Sequence, residues 1–233
     1  VVGGMRDIKS LLTDVSFVDP AHGILFRGMP IPEVLKKLPK ARGGKMPLVG
    51  GFYYLLMIGE LPTKEQAQEV EAEWAKRSAV PDYVYKMLKN MPKETHPMML
   101  FSQAVLALQN GSVFAHKYHS MKKDVYWEAA LEDSLDLTAK LPVIAAYIYR
   151  MKYFGESKKP KYNPRLDYGA NFSRMMGVAD KKGYSELARL YFILHSDHES
   201  VFRINSWHRA LIQEMSLSVG LSGQDEGTES GKL

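Results

Sequence analysis

Two histidines, His195 and His198, stand three positions apart, with Asp197 between them and Glu199 directly after. On a helix that spacing turns both imidazoles toward roughly the same side. Three readings of these residue types compete, and the spacing leaves all three open. In the first, one imidazole is a satisfied buried hydrogen-bonding group and the other a surface residue. In the second, the pair binds a metal with Glu199 or Asp197 as third ligand, because imidazole and carboxylate suit zinc and manganese. The order is not that of the metalloprotease helix, which sets the two histidines four apart around a glutamate. In the third, an imidazole at the C-terminal end of a helix donates to an anionic substrate, its pKa set by the neighbouring acids.

The remaining candidates are weaker. His22 falls in a turn, His96 opens a helix, His116 and His119 share a polar face, and His208 lies beyond the helical part; each reads as solvated or structural. Gly43-Gly44 and Gly50-Gly51 lack the spacing and the lysine of a phosphate-binding loop. No Ser-His-Asp order can be built, and the methionines fall at helical spacing, as core filler does.

The elements that must position the histidines are helical. Leu190 to Leu194 is the apolar end of a helix beginning near Ser185, and a preceding helix spans Asp167 to Met176, with Gly177 and Gly183 separating the two. Upstream, Pro32 opens a short helix through Leu38, and Val49 to Ile58 is an apolar run ended by Gly59. Thr63 and Gln66 form a capping box for a helix to about Ala79. Pro81 starts another helix through Lys89, burying Val84, Met87 and Leu88. His96-Pro97 begins a helix carrying Met99, Leu100, Gln103, Val105 and Leu106, and Gly111-Ser112 breaks and recaps it. The longest pattern runs from Asp124 to Tyr153, where Pro142 removes a hydrogen bond and predicts a kink or a split. Near the start, Ile8 to Arg27 is short and alternating around Asp19-Pro20 and Gly23, which predicts a small hairpin or extended arm. The sequence therefore predicts an all-α, multi-helical architecture with one short extended element. Beyond Ser200 the texture changes: Gly220 to Leu233 is rich in Gly, Ser and acids, and reads as a disordered tail.

Composition narrows the function classes. The 233 residues, 45% of them hydrophobic, suffice for a sizeable core. No run reaches the roughly 18 apolar residues a membrane span requires. Without cysteine there is neither disulfide nor thiolate chemistry. A net charge of +5 with lysines scattered among acids gives no clustered cationic face, which argues against nucleic acid as a partner. The chain starts at Val1, so a targeting peptide would lie upstream of it.

Several stretches, in order, resemble citrate synthase of the eukaryotic, mitochondrial type. They are Gly3-Gly4-Met5-Arg6, Asp19-Pro20 with Phe26-Arg27-Gly28, Ile31-Pro32-Glu33, Leu38-Pro39-Lys40-Ala41 and Glu73-Trp74-Ala75-Lys76-Arg77. His96-Pro97-Met98, Tyr126-Trp127-Glu128, Ala139-Lys140-Leu141-Pro142, Asn171-Phe172 and His195-Ser196-Asp197-His198-Glu199 continue the series. The resemblance is collinear from residue 3 to 199. It implies an almost wholly helical, homodimeric protein of the mitochondrial matrix. It further implies condensation of oxaloacetate with acetyl-coenzyme A to citrate, with no permanently bound cofactor and no metal.

The resemblance places His198, the second histidine of the motif, in the oxaloacetate pocket, where an imidazole can donate to a substrate carboxylate or keto oxygen. It places Lys123 where the family has a basic residue on coenzyme A phosphate. Arginine is usual there, and lysine keeps the charge without the fork. After Glu199 the family continues with Gly-Gly-Asn-Val-Ser, whereas this chain reads Ser200-Val201-Phe202-Arg203-Ile204-Asn205. The carboxylate that takes the acetyl proton, the histidines on the enol and keto groups, and the arginine clamps all follow that point in the family. The resemblance therefore assigns no catalytic residue within the chain. Its domain reading is a partial large domain over residues 1–199 and an unrelated tail over 200–233. The chain is expected to be incomplete and inactive alone; the alternative is a non-catalytic helical paralogue or interaction scaffold.

Overall fold

The computed structural model describes residues 15–19, 23–178 and 183–197. It opens on a three-stranded antiparallel sheet, β1 (Ser16–Asp19), β2 (Gly23–Phe26) and β3 (Met29–Pro30), in the order β1-β2-β3. Ser16 pairs with Phe26, and Phe26 in turn with Met29. Arg27 and Gly28 form the two-residue loop between β2 and β3, both with positive φ, 49° and 76°. Two such residues match the right-handed twist of the flanking strands. Of the hairpin or extended arm expected between Ile8 and Arg27, the described part is a hairpin, with a third short strand added. The expected Asp19-Pro20 turn, His22, and everything before Val15 lie outside the described residues.

Among the described residues nine α-helices follow: α1 (Ile31–Lys37), α2 (Val49–Ile58), α3 (Lys64–Arg77), α4 (Asp82–Asn90), α5 (Pro97–Leu108), α6 (Val113–Lys117), α7 (Tyr126–Phe154), α8 (Tyr168–Met176) and α9 (Tyr184–Leu194). Among the described residues the fold is thus all-α apart from the hairpin. Local chemistry explains the boundaries. Thr63 Oγ1 accepts from the Gln66 amide and Gln66 Oε1 accepts from the Thr63 amide, closing the predicted capping box at the start of α3. Ser112 recaps the chain before α6, and Asp167 Oδ1 caps α8 by accepting from Ala170 N. On α4 the buried residues are Val84, Tyr85 and Leu88, so Tyr85 takes the place expected for Met87, which is half-buried. On α5, Leu100 is buried while Met99 and Leu106 are exposed.

Of the kink or split expected at Pro142, the split does not occur: α7 is one continuous helix of 29 residues. Proline removes the amide that would have bonded to the carbonyl four residues back, that of Thr138. That carbonyl accepts instead from Tyr168 Oη of α8, at 2.9 Å in the buried interior. The missing bond is supplied from another helix, and the rod continues.

The part of α7 around Pro142 is buried on every side from Thr138 to Ile148. Against it pack Trp74 of α3, Val84 and Leu88 of α4, Leu100 and Phe101 of α5, Tyr168 and Phe172 of α8, and Phe192 of α9. A smaller core lies under the hairpin, where Phe26 meets Phe52 edge-on at 5.0 Å and Val34, Leu38, Leu55, Leu56 and Ile193 complete it. Helix α9 therefore belongs to both cores, Phe192 to the larger and Ile193 to the smaller.

Candidate functional site

The C-terminal end of α9 delivers the histidine motif. His195 caps the helix, its backbone amide donating to Tyr191 O at 3.2 Å. Its imidazole lies over the Tyr191 ring at 4.2 Å between centroids, and the residue is exposed. Partial burial against this ring holds the imidazole pKa below its ordinary value, which favours the neutral form at pH 7. Ser196 Oγ donates to Ile193 O at 3.0 Å, turning the chain inward, and Asp197 is buried. His198 and Glu199, the other members of the motif, lie outside the described residues. Among the described residues no group of three His, Asp or Glu side chains could hold a metal ion.

Lys123 begins a 3-10 turn, Lys123–Val125, that runs directly into α7. It is exposed, as are Lys117 and Lys122. The turn rests on a braced platform. Asp133 of α7 accepts from Ser112 Oγ at 2.6 Å, Val113 N at 2.7 Å and Phe114 N at 3.1 Å, which fastens the start of α6. Phe114, Tyr118 and Tyr126 then pack ring to ring across α6 and α7. The turn carrying Lys123 packs on the start of α7, whereas α9 packs on α8 and α2. The turn bearing Lys123 and the helix leading into the histidine motif are thus separate elements with different supports.

What holds α9 in place was not visible in the motifs. Arg189, nearly fully buried, binds Asp167 through both nitrogens of one edge, Nε to Oδ1 at 2.9 Å and Nη2 to Oδ2 at 2.8 Å. Its Nη1 donates to Glu186 Oε1 at 2.6 Å. Glu186 Oε2 in turn accepts the amides of Lys45 and Met46. Beside this cluster lies Glu71 of α3, half-buried. Its two oxygens accept the amides of Gly50, at 2.9 Å, and Tyr168, at 2.6 Å. Those amides belong to the first turns of α2 and α8, where helices leave N–H groups without internal partners. A side chain at Gly50 would meet Ala67 O at 2.9 Å and Glu71 Cγ at 3.0 Å, so only glycine lets α2 approach α3 this closely. Asn171, also buried, secures the connection before α8, donating to Asn163 O and Leu166 O and accepting from Asn163 N.

A hairpin seated on α2, a central helix whose middle is buried on all sides and α9 leading into the histidine motif form a scaffold with recognisable relatives. The family model described as "Citrate synthase, C-terminal domain" matches residues 4–202. The chain belongs to the citrate synthase family. A relative named "Probable citrate synthase, mitochondrial" from Glossina morsitans morsitans is 48% identical over 198 residues, covering 84% of this chain and 42% of the relative. The chain thus spans less than half the length of that citrate synthase. The solved citrate synthase of Pyrobaculum aerophilum superposes with a TM-score of 0.72 at 24% identity, over 95% of this chain and 55% of that one. A ternary complex of carboxymethyl coenzyme A and oxaloacetate with the citrate synthase of Thermoplasma acidophilum superposes with a TM-score of 0.68 at 16% identity, over 93% and 55%. These likenesses establish the all-α citrate synthase fold for the chain.

Proposed function

We propose that this chain is the scaffold-bearing part of a citrate synthase, acting in the tricarboxylic acid cycle in the mitochondrial matrix as a homodimer. The reaction is the condensation of acetyl-coenzyme A with oxaloacetate. The observation that carries this reading is the match over residues 4–202, at 48% identity to a relative named as mitochondrial citrate synthase. The Thermoplasma protein, of the same fold, is named as a complex with oxaloacetate and a coenzyme A derivative, which supports those two substrates.

In this reading residues 1–199 form part of the large domain, and α9 carries His198 to the oxaloacetate pocket. An imidazole there stabilises the substrate only if its helix is fixed, and the Arg189 cluster and the two cores fix it. Lys123 supplies a point charge for a coenzyme A phosphate, with less geometric selectivity than an arginine fork. The 233 residues by themselves lack the family's proton acceptor, its enol- and keto-stabilising histidines and its arginine clamps, and residues 200–233 do not replace them. Without a base aimed at the acetyl methyl group there is no enol to attack the keto carbon.

The test is condensation itself. Purified 233-residue protein, supplied with oxaloacetate and acetyl-coenzyme A, is expected to release no coenzyme A above the protein-free control. Stoichiometric citrate and coenzyme A from this chain alone would overturn the assignment of roles.

A further inference from the structure

Asn110-Gly111 is the single Asn-Gly pair in the 233 residues, and the function proposed above makes no use of it. It lies in the 3-10 turn Gln109–Gly111 that joins α5 to α6, and both residues are exposed. The side chain of an asparagine reaches the backbone nitrogen of the next residue, and a Cβ on that residue crowds the approach. Glycine leaves it clear. The turn is also a weak restraint, since 3-10 hydrogen bonds have poorer geometry than those of an α-helix. The structure adds a further feature. His116 Nε2 lies 2.8 Å from Asn110 O, and because a carbonyl oxygen only accepts, the imidazole donates. Asn110 O and Gly111 N belong to one conjugated peptide group. When that nitrogen loses its proton, negative charge collects on the oxygen, where the imidazole N–H stabilises it.

We propose that Asn110, Gly111 and His116 form a self-modification site, at which the Asn110 carboxamide is converted to a carboxylate with water as co-reactant. Gly111 N gives its proton to water and attacks Asn110 Cγ. The bond from Cγ to the side-chain nitrogen then breaks, and ammonia leaves with a proton returned by the solvent. Water opens the resulting cyclic imide at either of its carbonyls. Breaking the bond from Cγ to Gly111 N gives aspartate on the original backbone. Breaking the bond from the main-chain carbonyl carbon to Gly111 N gives isoaspartate, with the backbone routed through Cγ and one carbon longer. Nothing is oxidised or reduced: one water is consumed and one ammonia released. Just beyond the turn, Ser112 caps α6 and donates to Asp133 of α7, which also accepts from Val113 N and Phe114 N. The extra backbone carbon displaces Ser112 from that carboxylate. Isoaspartate at position 110 therefore unfastens the start of α6 and loosens the platform under Lys123.

The experiment incubates the full chain at neutral pH and follows each asparagine by peptide mass mapping, with isoaspartate scored by isoaspartyl methyltransferase labelling. Asn90, exposed but followed by Met91, is the internal reference. Asn110 is expected to convert well ahead of Asn90, giving both products. A Cβ at Gly111 would meet nothing within 4 Å, and its φ is not positive, so Gly111→Ala fits the turn while crowding the attack. That variant is expected to lose the conversion, and His116→Ala to slow it with Gly111 intact. In the isoaspartyl form, exchange of the Val113 and Phe114 amides should be about tenfold faster, as for loss of one hydrogen bond to a charged acceptor, with the Gly50 and Tyr168 amides unchanged. Conversion at Asn110 no faster than at Asn90, an undiminished rate in either variant, or unchanged exchange at Val113 and Phe114 overturns the proposal.

Discussion

Arg189 shows how much of this scaffold depends on one side chain. Its guanidinium is buried, with Asp167 across one edge and Glu186 on a third nitrogen. Glu186 is its neighbour on α9, three residues earlier, while Asp167 reaches it from the N-cap of α8. A lysine would keep the charge but lose the fork that Asp167 fills. Truncation to alanine would leave the part-buried Asp167 and Glu186 carboxylates without their cation. Arg189→Ala is therefore expected to cost about 3–5 kcal/mol in urea unfolding, the range for breaking a buried ion pair by removing one partner. Arg189→Lys should fall between that variant and the unsubstituted chain. A loss below about 1 kcal/mol for alanine, the range of an exposed pair, would show that the cluster does not secure α9. The residue scale is also where sequence reading reached least far. The histidine motif is contiguous and could be found by eye. Asp167 and Arg189 are 22 positions apart, and Glu71 and Tyr168 are 97 apart. Nothing local distinguishes Glu71 from the exposed acids that share its helix.

Among the elements, α7 carries the most informative difference between expectation and structure. Its helical pattern was legible over nearly its whole length, because apolar residues recur at helical spacing from Val125 to Ile148. The proline rule is local, however, and the group that satisfies Thr138 comes from a tyrosine 30 residues later. The caps read correctly for the opposite reason: Thr63 and Gln66 bond each other within a single turn. The α7–Tyr168 bond makes a definite prediction. Tyr168→Phe removes the hydroxyl and leaves the Thr138 carbonyl buried without that donor, for a loss of about 1–3 kcal/mol in chemical denaturation. In a Pro142→Ala background, where the backbone amide is restored, the same substitution should cost markedly less. Equal costs in both backgrounds would mean that the hydroxyl does not replace the helix bond.

For the whole molecule, the all-α architecture and the N-terminal hairpin follow from pattern and turn residues. The arrangement of two cores sharing α9 does not, since it depends on which helix faces meet. Large apolar side chains stay exposed on several faces, among them Leu106, Trp127, Phe154 and Leu187. The chain also spans less than half the length of a relative that is 48% identical to it. The central claim concerns what these residues supply to a citrate synthase: scaffold and substrate contacts, without the base that removes the acetyl proton. Isotope exchange tests that base directly, even where full condensation is too slow to see. The chain is incubated in heavy water with acetyl-coenzyme A and oxaloacetate, and the acetyl methyl group is weighed by mass spectrometry. The account predicts deuterium incorporation no faster than in the protein-free control; faster incorporation would show a proton acceptor within these 233 residues and contradict it.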